Sequence, residues 1–356
     1  MVPTILRFTI TWRRQRAKKR EPPASAGLNA AEASATRMIL PIPSLITPVF
    51  GLIAVGFLAA RTGYVSAGVG RAANELGYKV AMPALLFRAM LQVGEVPVSP
   101  MWLIAAFAVT VGTVWMAATL IARNLLGRPA ADLPAYAMAA CFSNGVMLGF
   151  PIITSVLGPQ AATPIAFLAT CETLGLWLAG TLQMEIIRRG ASGLTLRSAT
   201  GVLADVARNP LIMAMIAGLM FRYAGLQLPA LPGRLIELTA QAGVPVSLLG
   251  LGLSLAAYEI RGQTSSIATI MLLKIVACPL LALLVTTKLL ALPSLWSAAL
   301  VLYVAMPVGA NAFLFASRYE QAVAPVSAAV AISTLLAVVT VSLVIAVVNM
   351  QGLTAL

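Results

Sequence analysis

Two short stretches hold the residues best suited to chemistry: SNGVMLGFP at 143–151 and MPVGANAF at 306–313. Each sets an asparagine, Asn144 or Asn311, among glycines and a proline inside otherwise apolar sequence. Such a stretch interrupts a helix and leaves backbone N–H and C=O groups unpaired. The half-helix ends then carry partial charge: an N-terminal end attracts a carboxylate, and unwound carbonyls can hold a cation. An Asn side chain adds both a donor and an acceptor. Asn144, Asn311, Ser143 and Gly145 are therefore the candidate binding group, and Gly149, Pro151, Pro307 and Gly309 shape the breaks. The plainer alternative is that each Asn only satisfies the broken backbone or helps helices pack.

Three ionisable residues lie inside apolar runs. Lys274 sits between MLL and IVA, where an ammonium costs roughly 2.5–3.5 kcal/mol on membrane-insertion scales. It must face water, a carboxylate or a substrate anion, or else bond backbone carbonyls at a helix crossing. Glu172 (LATCETLGL) is its natural partner and a candidate proton or ion carrier. Arg88 lies near the end of an apolar run and is expected to snorkel outward or face the cavity. Glu185, Glu259 and Arg261 flank helix ends and read as solvated.

These residues must be positioned by membrane helices. Of 356 residues, 60% are hydrophobic and 10% charged, and the mean hydropathy is +0.93. A soluble domain carries about 25% charged residues, so much of this apolar surface must face lipid. Apolar runs of spanning length fall near 43–61, 72–92, 101–123, 134–157, 164–187, 208–225, 235–258, 265–290, 295–316 and 324–349. The longest connection, 188–207, separates a first half (38–187) from a second (208–356). The second run of each half holds an interior proline, Pro83 or Pro245, and the fourth is the one broken by Asn, Gly and Pro. Five spans per half reverses the orientation of the second. The expectation is an all-α polytopic membrane protein of ten transmembrane helices, two inverted five-helix repeats with a site where the broken fourth and ninth helices cross.

Basic residues follow the odd-numbered runs, Arg61, Arg71 and Lys79 first among them. The positive-inside rule then places the central loop in the cytoplasm and both termini outside the inner membrane. The basic tail 1–37 opposes that orientation, lacks the apolar core of a signal peptide, and is expected to be disordered or to precede a native start at Met38.

Other classes lose support. The net charge of +13 is spread over loops and the tail, with no basic face bearing aromatics, which argues against nucleic acid. Histidine is absent, removing His-based zinc sites and triads. Cys141, Cys171 and Cys278 have no metal-binding spacing and read as small apolar residues; no cofactor or metal is expected. GLGLSLA (250–256) lacks the Lys-Ser/Thr of a phosphate loop and reads as close helix packing. Trp102 and Trp296 open apolar runs, as interface anchors do. An enzyme, or a sensor with an output domain, finds no motif or segment to carry it.

The stretches KVAMPALLFRAM (79–90), SNGVMLGFPIITSVLG (143–158), RNPLIMAMIAGL (208–219), PVSLLGLGLSLA (245–256), LLKIVACPLLALL (272–284) and MPVGANAFLFASRYE (306–320) resemble, in order and spacing, the auxin efflux carrier family. That family includes bacterial malonate and malate carriers and the plant PIN proteins. The resemblance covers roughly residues 40–350. It implies crossed, broken helices at the substrate site, a scaffold and a moving part, and a possible homodimer. The long central loop of many PIN proteins is missing, which favours a bacterial-type carrier over one for auxin. The expected function is secondary transport of a small carboxylate by alternating access. Asn144 and Asn311 would hold the anion, Lys274 would supply charge, and H⁺ or Na⁺ would be the coupling ion if one is used. The alternatives are an ion-coupled transporter of another solute and an anion-binding membrane sensor.

Overall fold

The computed structural model describes residues 41–91, 99–189, 210–256 and 264–353. The basic tail 1–37, most of the central connection, Glu259 and Arg261 lie outside the described residues. Helices occupy all ten apolar runs: α1 (Pro41–Arg61), α2 (Ala67–Leu76), α3 (Met82–Leu91), α4 (Pro100–Asn124), α5 (Leu133–Cys141), α6 (Phe150–Leu157) and α7 (Ala162–Arg189) in the first half. The second half holds α8 (Pro210–Tyr223), α9 (Ala230–Leu255), α10 (Thr264–Met271), α11 (Cys278–Leu284), α12 (Ser294–Val304), α13 (Ala310–Tyr319) and α14 (Val323–Met350). Among the described residues, five segments are long and apolar enough to cross a membrane: Pro100–Asn124, Pro159–Arg188, Ala230–Leu255, Thr264–Leu289 and Val323–Met350. The other runs give shorter or interrupted apolar helices.

The interruptions have a common local cause. Wide π turns occupy Gly77–Ala81, Gly145–Gly149 and Leu272–Ala277, and the α-helix after each carries proline at its second residue: Pro83, Pro151 and Pro279. Proline has no N–H to return to the carbonyl one turn back, and its ring crowds that carbonyl. A π turn relieves both by one residue's slippage without ending the helix. Pro245 is instead absorbed within α9, which stays α-helical from Ala230 to Leu255.

The helices sort into two groups by their contacts. In one, α9 packs on α1, α2 and α3, and α8 packs on α3. In the other, α4 packs on α5, α7 and α11, with α12, α13 and α14 joined to them. The first group thus takes the first two runs of each half, and the second takes the remaining three.

Small residues let the first group close up. A Cβ added to Gly252 would strike the Ile53 carbonyl, one on Gly250 would meet Asn74, and one on Gly70 would meet Leu253 at 2.8 Å. The GLGLSLA stretch is therefore a close-packing surface for α1 and α2. Trp296 corrects the interface-anchor expectation. It is 1% exposed, because α12 is buried on every side from Trp296 to Val304. Trp102 does stand exposed at the start of α4.

Candidate functional site

The two broken runs meet at their breaks. After Cys141 the chain leaves the helix, and residues 142–144 pair antiparallel with 307–309 through an isolated bridge between Ser143 and Val308. Asn144 N–H donates to the Pro307 carbonyl at 2.8 Å, and Gly309 N–H donates to the Phe142 carbonyl at 3.0 Å. The helix interruptions thus satisfy each other's backbone, as buried polar groups must be satisfied. Gly309 permits the approach, since a Cβ there would lie 2.7 Å from the Ser143 carbonyl oxygen.

Four further side chains complete the crossing. Ser143 N–H donates to Glu172 Oε1 of α7 at 2.8 Å, and the Tyr303 hydroxyl of α12 donates to Glu172 Oε2 at 2.8 Å. Lys274 Nζ, carried on the π turn between α10 and α11, donates to the Cys141 carbonyl at 3.0 Å and to Ser143 Oγ at 2.6 Å. Val308 N–H finds Ser333 Oγ of α14 at 3.0 Å. Lys274 and Glu172 are therefore joined through Ser143: one holds its hydroxyl and the Cys141 carbonyl, the other its amide. Both are buried, Lys274 fully and Glu172 at 1% exposure. Burying such groups is costly unless they are hydrogen-bonded, and both have partners here.

A cavity of about 860 Å³ opens between the two helix groups. Ser143, Asn144, Glu172, Tyr303 and Asn311 line it on one side. The first residues of both half-helices, Val146 and Met147 after the first break and Ala310 and Asn311 after the second, also line it. Two helix N-termini, with their outward N–H groups and partial positive charge, thus border one space. Neither the Asn144 nor the Asn311 side-chain amide has a hydrogen-bond partner among the described residues, and Asn144 does not cap the half-helix it precedes. The alternative in which each Asn serves the broken backbone does not match this geometry, since main-chain groups together with Glu172, Lys274 and Ser333 do that work.

The other expected residues fall as follows. Gly145 lies against Tyr303, whose ring a Cβ would overlap. Gly149 lies against Met306, where an added Cβ would come within 2.9 Å of that side chain. Lys274 stands behind the crossing and not on the cavity wall, which fits the carbonyl-bonding alternative raised for it. Arg88 is half exposed and pairs with Glu237 at 3.1 Å, away from the cavity. Sequence reasoning missed Tyr303 and Ser333, and it counted Arg71 and Lys79 only as loop charges although both line the cavity. The signal for Tyr303 was its place three residues before the broken MPVGAN stretch. Asn74 and Ser254, polar residues within apolar runs, bond each other at 2.8 Å on the opposite wall.

A family model described as membrane transport protein matches residues 41–195 and 191–345. The chain belongs to this family, that of the auxin efflux carriers. A relative from Rhizobium meliloti (strain 1021) named "Putative malonate transporter" is 28% identical over 301 residues, covering 83% of this chain and 92% of the relative. An "Uncharacterized transporter" of Methanothermobacter thermautotrophicus is 23% identical over 291 residues, covering 82% and 93%. The "Uncharacterized transporter YfdV" of Escherichia coli (strain K12) is 25% identical over 299 residues, covering 82% and 92%. The chain is thus a membrane protein of a transporter family, and its apolar helices are membrane elements.

Proposed function

We propose that this family member is a secondary carrier for a small carboxylate of malonate or malate type. It crosses the inner membrane ten times as two inverted five-helix repeats and works by alternating access. The observation that carries the reading is the pair of unpartnered amides, Asn144 and Asn311, set at two half-helix N-termini on one cavity wall. Amide and backbone donors around a positive helix end suit a carboxylate. Broken helices at matching positions of two halves support the repeat architecture, as does the sorting of corresponding runs from both halves into the same helix group. The relative named for malonate supports the choice of acid.

In this mechanism the crossing stays rigid, held by Lys274, Glu172, Tyr303 and Ser333, and the first helix group moves against the second, which carries it. The cavity borders Arg71 and Lys79, which the positive-inside reading assigns to the cytoplasm, and on that assignment it opens inward. Export of an anion down the membrane potential gains about 2.3 kcal/mol per charge per 100 mV and needs no coupling ion. If a proton is coupled, Glu172 is its carrier on the cavity wall.

The test is uptake of radiolabelled malonate and malate into proteoliposomes, with membrane potential and pH gradient set separately. Saturable uptake is expected, and Asn144→Ala and Asn311→Ala should each weaken apparent affinity about tenfold or more, the worth of a hydrogen bond to a charged group. Folded wild type that transports neither acid but is stabilised by another solute class would remove the substrate assignment.

A further inference from the structure

We infer that Arg71 is a second anion contact on the wall facing the crossing, and that it makes the site selective for acids with two carboxylates. The inference rests on the carboxylate reading above and deepens it. The cavity is bounded by both helix groups, and its charged side chains differ in how they are engaged. On the crossing wall, Glu172 is held by Ser143 N–H and the Tyr303 hydroxyl, with the buried ammonium of Lys274 behind it. On the facing wall, Lys79 and Glu75 form an ion pair one helical turn apart at 2.5 Å, and the Asn74 amide donates to the Gly250 carbonyl and Ser254 Oγ. Arg71, on α2 one turn before Asn74 and Glu75, lines the same cavity with no hydrogen bond or ion pair among the described residues.

The facing wall therefore offers one uncommitted positive charge, and its guanidinium can take a carboxylate through two parallel N–H donors. The crossing wall offers uncommitted amides at two helix N-termini. An acid with one carboxylate satisfies one wall. An acid with two satisfies both, and in doing so ties one helix group to the other. Because Arg71 belongs to the group that excludes the crossing, its contact forms only when a bridging ligand draws the groups together. Selectivity for the second carboxylate and closure of the cavity then come from the same bond.

The experiment is calorimetric titration of the purified full-length protein in lipid nanodiscs with malonate and with monomethyl malonate. The two are nearly the same size and differ by one charge. Wild type should bind malonate about tenfold to hundredfold more tightly, the range for a charge-assisted contact. Arg71→Gln should lower malonate affinity to that of the half-ester and leave the half-ester unchanged. Arg71→Lys, which keeps the charge without the fork, should retain part of the preference and decides the matter if Arg71→Gln does not fold. Equal weakening of both ligands by either variant, or an unchanged preference, overturns the inference. So does a wild type indifferent to the second carboxylate; if Asn144→Ala still weakens both ligands in that case, the carboxylate reading stands. Binding of neither ligand by folded wild type overturns both.

Discussion

Replacing Lys274 by methionine keeps the aliphatic stem and removes the ammonium. Three losses follow. The Cys141 carbonyl loses the donor at 3.0 Å, Ser143 Oγ loses the donor at 2.6 Å, and Glu172 loses the positive charge nearest to it. Removing one member of a buried charge pair costs roughly 3–5 kcal/mol, most of it the penalty of the charge left behind. At about 2 °C per kcal/mol for a chain of this size, the apparent unfolding temperature should fall by roughly 6–10 °C. The double variant Lys274→Met/Glu172→Gln removes both charges while a glutamine oxygen can still accept from Ser143 N–H. It should be more stable than the sum of the single losses by about 1–3 kcal/mol, as coupled neighbours are. The assay is thermal unfolding in one detergent, followed by tryptophan fluorescence at fixed scan rate so that irreversible steps affect all variants alike. Strictly additive losses, or a Lys274→Met protein as stable as wild type, would refute the view that Ser143 is clamped between two mutually compensating charges.

Two glycine substitutions test the packing on either side of the cavity. Gly145→Ala places a methyl group in the Tyr303 ring and must push that hydroxyl off Glu172. Uptake should drop at least about tenfold while membrane insertion, read by protease protection of the loops, is kept; normal uptake would mean that the ring has room the structure does not show. Gly252→Ala drives a methyl into the Ile53 carbonyl and must separate α9 from α1. It should destabilise the protein by roughly 1–3 kcal/mol in the same thermal assay without touching the crossing residues, and an unchanged unfolding temperature would show that the helices part freely.

The sequence was most informative where backbone chemistry leaves a mark. Proline and glycine inside apolar runs announced the breaks at 143–151 and 306–313, and the helices stop and restart there. The hinge prolines were visible for the same reason, but not their consequences: Pro83 is preceded by a π turn, whereas Pro245 is carried inside an unbroken helix. A run of apolar letters does not encode that difference. Trp296 failed as an interface anchor on the same ground. Its helix is enclosed on all sides, and being first in an apolar run says nothing of enclosure.

Charged residues were legible as anomalies but not as contacts. An intramembrane Lys274 and Glu172 call for partners, and the simplest assignment is each other. The structure puts Ser143 between them, so that a single residue of the break receives both charges, one on its hydroxyl and one on its amide. Pairing of 142–144 with 307–309 occupies the backbone of the break, and Ser333 takes the Val308 N–H. Once these groups are spent, the side-chain amides of Asn144 and Asn311 line the cavity without a hydrogen-bond partner among the described residues. The Lys274 ammonium bonds the Cys141 carbonyl and Ser143 Oγ, and Arg71 and Lys79, both read from sequence as loop charges, line the cavity.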